Sequence, residues 1–191
     1  MMQPLLIAVT GLPCSGKSTL ARRLGARLGF AVYEKDVVKE ALFDALGTGD
    51  REWSRNLSTA SFSVLLALAE RAVAGQRSAI VEGNFRPEHA AVFERLRATH
   101  GARLVQVLCG GSGRVLVERF ENRARRQSRH PGHLDSLALA ELRTDLERGF
   151  AAPLAVQGME LRFESTRSDG PTQFDALLRA IDDVRRGAGL R

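Results

Sequence analysis

Residues 11–18 read Gly11-Leu12-Pro13-Cys14-Ser15-Gly16-Lys17-Ser18, a full match to G-x-x-x-x-G-K-[ST]. Glycines at the first and sixth positions let the backbone curl until its N–H groups point inward, making a nest for phosphate oxygens. Lys17 is placed to reach β- and γ-phosphates, and the Ser18 hydroxyl to coordinate Mg²⁺. The expected cradle is Gly11, Pro13, Cys14, Ser15, Gly16, Lys17, Ser18 and Thr19, and its ligand a nucleoside triphosphate. Cys14 lies beside Lys17 and a helix N-terminus, an environment that favours the thiolate, so a reactive thiol is expected.

The other residues able to do chemistry lie further on. Asp36 follows a second apolar run and is read as the general base that takes a proton from an alcohol acceptor. Its competing use is as cap of the next helix. Lys39, one turn later, either holds acceptor or phosphate or is a solvated surface lysine. Glu82 ends the third apolar run and is read as a metal-shell acid, with Mg²⁺ held through water. Asn84 and Arg86 follow it as acceptor contacts. Arg119, Arg123 and Arg126 are spaced by four and three, within about 40° of one helix face at 100° per residue. Such guanidiniums repel unless an anion faces them, which suggests a lid that clamps the triphosphate; the plainer reading is a solvated face. Arg123 is the first choice for stabilising charge in transfer, and Arg119 and Arg126 follow. Thr166 is expected beside the nucleotide base on position alone. The loop Arg129–His133, with Pro131 and Gly132 between two histidines, forms the tip of the expected lid; without a third ligand the histidines are no metal site.

These residues need a scaffold that gathers them. Apolar runs of strand length occupy 5–9, 30–33, 78–82, 103–108 and 160–164. Between them lie helical patterns: after Ser18 with Leu20, Leu24 and Leu28 one turn apart; Asp36–Leu46 with Val37, Leu42 and Leu46 inward; and Ser54–Ala74. Others run from Pro87 to His100, Ser112 to Gln127, Leu134 to Phe150 and Thr172 to Arg185. Strands alternating with helices predict an α/β fold with a parallel sheet covered on both faces. Ligands of such sheets bind beyond the carboxyl ends of the strands, which brings Gly11–Ser18, Glu34–Asp36, Glu82–Phe85, Cys109–Gly111 and Ser165–Asp169 to one edge. Trp53, Phe62, Val64, Leu65 and Leu68 read first as a core stripe and second as an acceptor pocket.

The chain has 191 residues, 44% of them hydrophobic, enough for one domain with a sizeable core, lid included at about residues 112–135. Cys14 and Cys109 are too few for a disulfide framework and suit a cytoplasmic setting. No apolar run approaches a membrane span, so no membrane partner is expected. The net charge of +6 makes nucleic acid a conceivable partner. However, arginines are scattered over the chain, the only lysines are Lys17, Lys35 and Lys39, and no aromatic-basic platform for single strands is evident. Nucleic acid is therefore not favoured, and the chain is expected as a monomer or homodimer.

With these residues in place, the chain resembles the P-loop kinases that include polynucleotide 5′-hydroxyl kinases and chloramphenicol phosphotransferase. The shared pattern is Gly11-x-Pro13-x-Ser15-Gly16-Lys17-Ser18-Thr19, Asp36, Glu82-Gly83-Asn84 and Glu118-Arg119-x-x-x-Arg123. The resemblance implies a three-layer P-loop NTPase fold with strand order 2-3-1-4-5, Mg-ATP as donor, Asp36 as base and Arg123 as a lid arginine. The chain departs from that group at Cys14, Lys39 and Glu82, where Gly, Arg and Asp are common. The leading expectation is an ATP-dependent kinase of a small hydroxylated molecule of nucleoside, sugar or antibiotic type. The alternatives are a 5′-hydroxyl polynucleotide kinase and a nucleotide-hydrolysing switch. No N-K-x-D guanine reader follows the fourth strand, and a carboxylate placed as base favours an alcohol acceptor over a switch.

Overall fold

The computed structural model describes residues 3–126 and 129–187. Five strands, β1 Leu5–Gly11, β2 Ala31–Glu34, β3 Ala79–Gly83, β4 Arg103–Gly110 and β5 Met159–Glu164, form one sheet. All pairings are parallel, in the order β2-β3-β1-β4-β5. This is the expected architecture and strand order.

The central strand β1 is buried along its whole length because it has helices on both sides. Its odd residues Leu5, Ile7 and Val9 pack with Leu20 and Leu24 of α1 (Lys17–Leu28) and Leu177 and Ile181 of α7 (Gly170–Arg186). Its even residues Leu6 and Ala8 pack against α3 (Arg51–Ala74) and α4 (Ala90–His100), through Leu65, Ala69, Val73, Phe93 and Leu96. Period-two alternation in one strand thus supplies both halves of the core. A third cluster joins Leu12 of the glycine loop to Leu116, Val117 and Phe120 of α5 (Gly113–Arg126) and Ala138 and Leu146 of α6 (Asp135–Arg148). The α5–α6 pair therefore shares apolar contacts with the loop it overhangs.

Several boundaries and faces differ from the sequence expectations. Helix α2 (Lys35–Leu46) begins one residue early, and buries Lys39 and Phe43 while Val37 and Leu46 are exposed. Asp36 lies in its first turn and Glu34 is the cap position, so Asp36 is not a cap. Helix α3 starts at Arg51 because the Asp50 carboxylate accepts from Trp53 N–H at 2.8 Å. The stretch from Pro87 divides into a 3₁₀ turn, Pro87–His89, and α4. Gln127, the expected end of α5, lies outside the described residues, and α6 runs shorter at both ends than expected. At 24 residues α3 is also long and apolar enough to cross a membrane by length and composition, contrary to the sequence reading. In the fold its apolar side, Leu57, Leu65, Leu66, Ala69 and Val73, is buried in the protein.

Candidate active site

Parallel register aligns the carboxyl ends of the strands, opposing Gly11 to Cys109, Val9 to Glu82 and Glu34 to Glu82. A cleft of about 680 Å³ opens at this edge, between α2 and α3 on one side and α5 and α6 on the other. Pro13, Lys17, Asp36, Lys39, Glu82, Asn84, Arg86 and Arg123 all line it. Residues separated by up to 110 positions thus share one cavity, in the place the sheet rule indicates.

The glycine loop has the backbone its sequence implies. Gly16 has φ 83°, left-handed, immediately before α1. At Gly11 a Cβ would sit 2.1 Å from the Cys109 carbonyl oxygen, so only glycine fits against β4. Ser15 Oγ is buried with no hydrogen-bond partner among the described residues, a spare polar group in the cradle. Cys14 also has positive φ, 63°. Its thiol does not match the expected reactive one: burial raises its pKa and outweighs the opposing pull of Arg123 and Lys17.

Lys17 Nζ lies 3.7 Å from Glu82 Oε1, with both side chains nearly buried. Burial pushes the Glu82 carboxyl up against the pull of Lys17. The Ser18 hydroxyl and Glu82 carboxylate are oxygen donors of the kind Mg²⁺ prefers. Among the described residues no group of three His, Cys, Asp or Glu side chains is placed to hold a metal.

On the acceptor side, Lys35 Nζ is 3.2 Å from Asp36 Oδ1, and Arg129 donates to Asp36 Oδ2. Burial raises the Asp36 pKa, but Arg129, Lys35 and Lys17 together hold the carboxyl well below the usual carboxylate range. Lys39 is not a solvated lysine; it is 3% exposed and donates to Ser54 Oγ at 2.9 Å. Burial and the nearby Lys35 ammonium depress it to about 7. Asn84 is half-buried, and Arg86 is exposed at the rim.

The three arginines of α5 go to different places. Arg119 reaches back over the loop, donating to Ser165 Oγ at 3.2 Å and to the Cys14 carbonyl at 3.4 Å. Arg123 points into the cleft, its Nε 2.7 Å from Asp135 Oδ2 and its guanidinium over Phe120. Arg126 is exposed and outside the cleft lining. The anion facing this helix is thus Asp135, at the first turn of α6. Thr166 is occupied structurally, its Oγ1 accepting from Ser112 N–H at 3.0 Å; Ser165 is the residue that meets the loop.

Sequence reasoning gave no role to three cleft residues, Lys35, Ser54 and Asp135, and placed Arg129 only in the loop at the lid tip. One signal was available. Asp36, Glu40 and Asp44 are spaced by four, which puts three carboxylates on one face of α2. Each is met from the loop before α6: Arg129 pairs with Asp36, His133 lies 2.9 Å from Glu40, and His130 lies 3.2 Å from Asp44. Phe43 stacks on the His130 ring at 5.1 Å and meets the His133 ring edge-on at 5.6 Å.

A parallel 2-3-1-4-5 sheet with a glycine loop opening α1 at its carboxyl edge defines a P-loop nucleotide-binding fold. The chain belongs to the AAA domain family, which matches residues 6–148. Comparison with curated proteins gives no match. Among solved structures, it is similar to a candidate kinase of Chloroflexus aurantiacus J-10-fl, with 35% identity and TM-score 0.83 over 95% of this chain and 98% of that one. A gluconokinase of Sinorhizobium meliloti 1021 shares the fold at 16% identity and TM-score 0.55, covering 99% of this chain and 100% of that one. So does the Mycobacterium tuberculosis APS kinase CysC, solved with AMPPNP and APS, at 18% identity and TM-score 0.58, covering 95% and 99%.

Proposed function

We propose that the chain is an ATP-dependent phosphotransferase that moves the γ-phosphoryl group to the hydroxyl of a small molecule. The observation that carries this reading is the placing of an ionised carboxylate, Asp36, in the same cleft as Lys17 of an intact glycine loop. The likeness to the Chloroflexus candidate kinase supports it. So do the motifs shared with the polynucleotide kinase and chloramphenicol phosphotransferase group.

In this reading the loop N–H groups and Lys17 hold the β- and γ-phosphates. Ser18 and, through water, Glu82 would hold Mg²⁺, which supplies charge neutralisation on the phosphates when bound. Asn84, Arg86 and Lys39 contact the acceptor. Asp36 accepts the proton of the acceptor hydroxyl as its oxygen bonds to the γ-phosphorus. The bond from that phosphorus to the β–γ bridging oxygen breaks, and ADP leaves. Arg123 offsets the charge spreading over the transferred group, and Arg119 steadies the loop.

The test is transfer of labelled γ-phosphate to a panel of nucleosides, sugars, aminocyclitol and phenicol antibiotics and 5′-hydroxyl oligonucleotides. Labelled product from a small alcohol supports the reading. Label only on oligonucleotides, or only free phosphate, overturns it in favour of a polynucleotide kinase or a hydrolysing switch.

A further inference from the structure

One guanidinium in the cleft serves three carboxylates. Arg129 donates through one terminal nitrogen to Asp36 Oδ2 and through the other to Asp135 Oδ1 at 3.4 Å, and its Nε lies 3.9 Å from Glu40 Oε1. Asp36 thereby has a cation on each oxygen, Lys35 on Oδ1 and Arg129 on Oδ2. A carboxylate held this way is a weak base, and the oxygen facing the α5–α6 side is occupied. An incoming hydroxyl meets a base already in use.

The surrounding pairs make this contact easy to exchange. If Arg129 moves away, Asp135 still has Arg123, Glu40 still has His133 and Asp36 still has Lys35. No carboxylate is left alone, and Asp36 and Glu40 are each more than a third exposed, so the cost of breaking a buried pair is largely avoided. A triphosphate on Lys17 would bring several negative charges into this same cleft, and its oxygens suit the guanidinium fork as a carboxylate does. Arg129 and Lys17 both line that cavity.

We propose that Arg129 is a positioning residue that holds Asp36 out of service in the nucleotide-free protein and exchanges it for the bound triphosphate, so that the base is released only when the donor is present. The proposal rests on the kinase reading above. The groups facing Asp36 are Lys35 on its own helix, Lys17 from α1, and Arg129 and His133 from the segment before α6. Of these, Arg129 pairs with Asp135 on the far side of the cleft, and Lys17 with Glu82 at the sheet edge.

Competition of this kind leaves a signature in nucleotide affinity that needs no acceptor and no turnover. Asp36→Asn removes the competitor for Arg129, so it should bind Mg-AMPPNP about three- to tenfold more tightly than the parent, a coupling typical of groups in direct contact. Arg129→Met should bind more weakly. In the double variant the Asn substitution should bring no gain. A gain of equal size with and without Arg129 would mean simple relief of repulsion between Asp36 and phosphate, and would overturn the exchange. No gain in either background overturns it too.

Should Arg129→Met fail to fold, the parent protein still decides. The Arg129 Nε–H resonance, identified by its loss in Arg129→Lys, should shift on adding Mg-AMPPNP and become insensitive to Asp36→Asn. An unmoved resonance overturns the proposal. Exchange without phosphate transfer to any alcohol would leave it standing and sink the kinase reading instead. Transfer without exchange would do the reverse.

Discussion

Lys17 Nζ and Glu82 Oε1 lie 3.7 Å apart at the carboxyl edge of the sheet, where the Glu82 side chain is 2% exposed. The lysine of the phosphate loop therefore has a second task, as the nearest cation to a buried acid. Lys17→Ala should lose both: nucleotide affinity should fall at least about a hundredfold. Stability should drop by about 1–3 kcal/mol, less than for a fully buried pair because Glu82 can take up a proton. Adding Glu82→Gln should restore most of the melting temperature and none of the affinity. A Lys17→Ala protein that melts with the parent would show that Glu82 does not depend on this contact.

Lys39 gives a prediction on the alkaline side. Its folded pKa, about 7, lies below the ordinary lysine value of about 10.4, so folding releases a proton between those limits. The unfolded chain binds more protons there, and stability must rise with pH over that window. Relative to Lys39→Met, the parent should gain in urea midpoint from pH 7 to pH 10 and show a constant difference below pH 6. A difference that stays flat through the alkaline range would mean that Lys39 keeps its proton, with Ser54 and water replacing the solvation that burial removes.

Cys14 stands where left-handed backbone is needed, φ 63°. A side chain in that region costs about 1 kcal/mol relative to glycine, offset in part by the apolar contacts of Cys14 with the α5–α6 cluster. Cys14→Gly should therefore fold with unchanged or slightly higher melting temperature and retain nucleotide binding. In the parent, the raised thiol pKa should make alkylation by iodoacetamide at neutral pH slower than that of a free thiol. Fast alkylation would restore the activated thiol that the sequence suggested.

These residues also show where the sequence was legible. The glycine motif names backbone geometry that local residues determine, and the alternation of strands and helices determines the sheet edge. Sheet rules therefore put the segments of Gly11–Ser18, Asp36 and Glu82 at one edge, and Pro13, Lys17, Asp36, Glu82 and Arg123 line one cleft. The identity of each partner was not legible, because it depends on how two helices cross. Helical spacing put Arg119, Arg123 and Arg126 on one face and implied a facing anion. It did not show that the anion is Asp135, twelve residues beyond Arg123, nor that Arg126 stays outside. Lys39 reads as polar in any helical plot, yet α3 covers it with Ser54. Val37 and Leu46 lie half a turn apart and are exposed; α2 turns Lys39 and Phe43 inward instead, and the loop of Arg129 to His133 docks around Phe43.

Asp36 separates chemistry from binding. Because Glu34 is the cap position and Asp36 makes no cap hydrogen bond, Asp36→Asn has no helix start to damage. Its structural cost is limited to the pairs with Arg129 and Lys35, and since the Asp36 side chain is 36% exposed, solvent weakens both. The melting temperature should fall only slightly. The neutral amide has no basic oxygen for the acceptor proton, so transfer to the true alcohol should drop by about two to four orders of magnitude. Nucleotide should bind at least as tightly as to the parent, since nothing in the cradle has changed and Arg129 no longer has Asp36 as a partner. Lys17→Ala should show the opposite pattern in the same assay, with affinity lost. Parallel measurement of Kd for Mg-AMPPNP and of kcat with the identified acceptor decides the point. If Asp36→Asn turns over at the parent rate, the proton goes to another group in the cleft. Lys39, which burial depresses to about 7 and which lies one helical turn away, is then the residue to replace next.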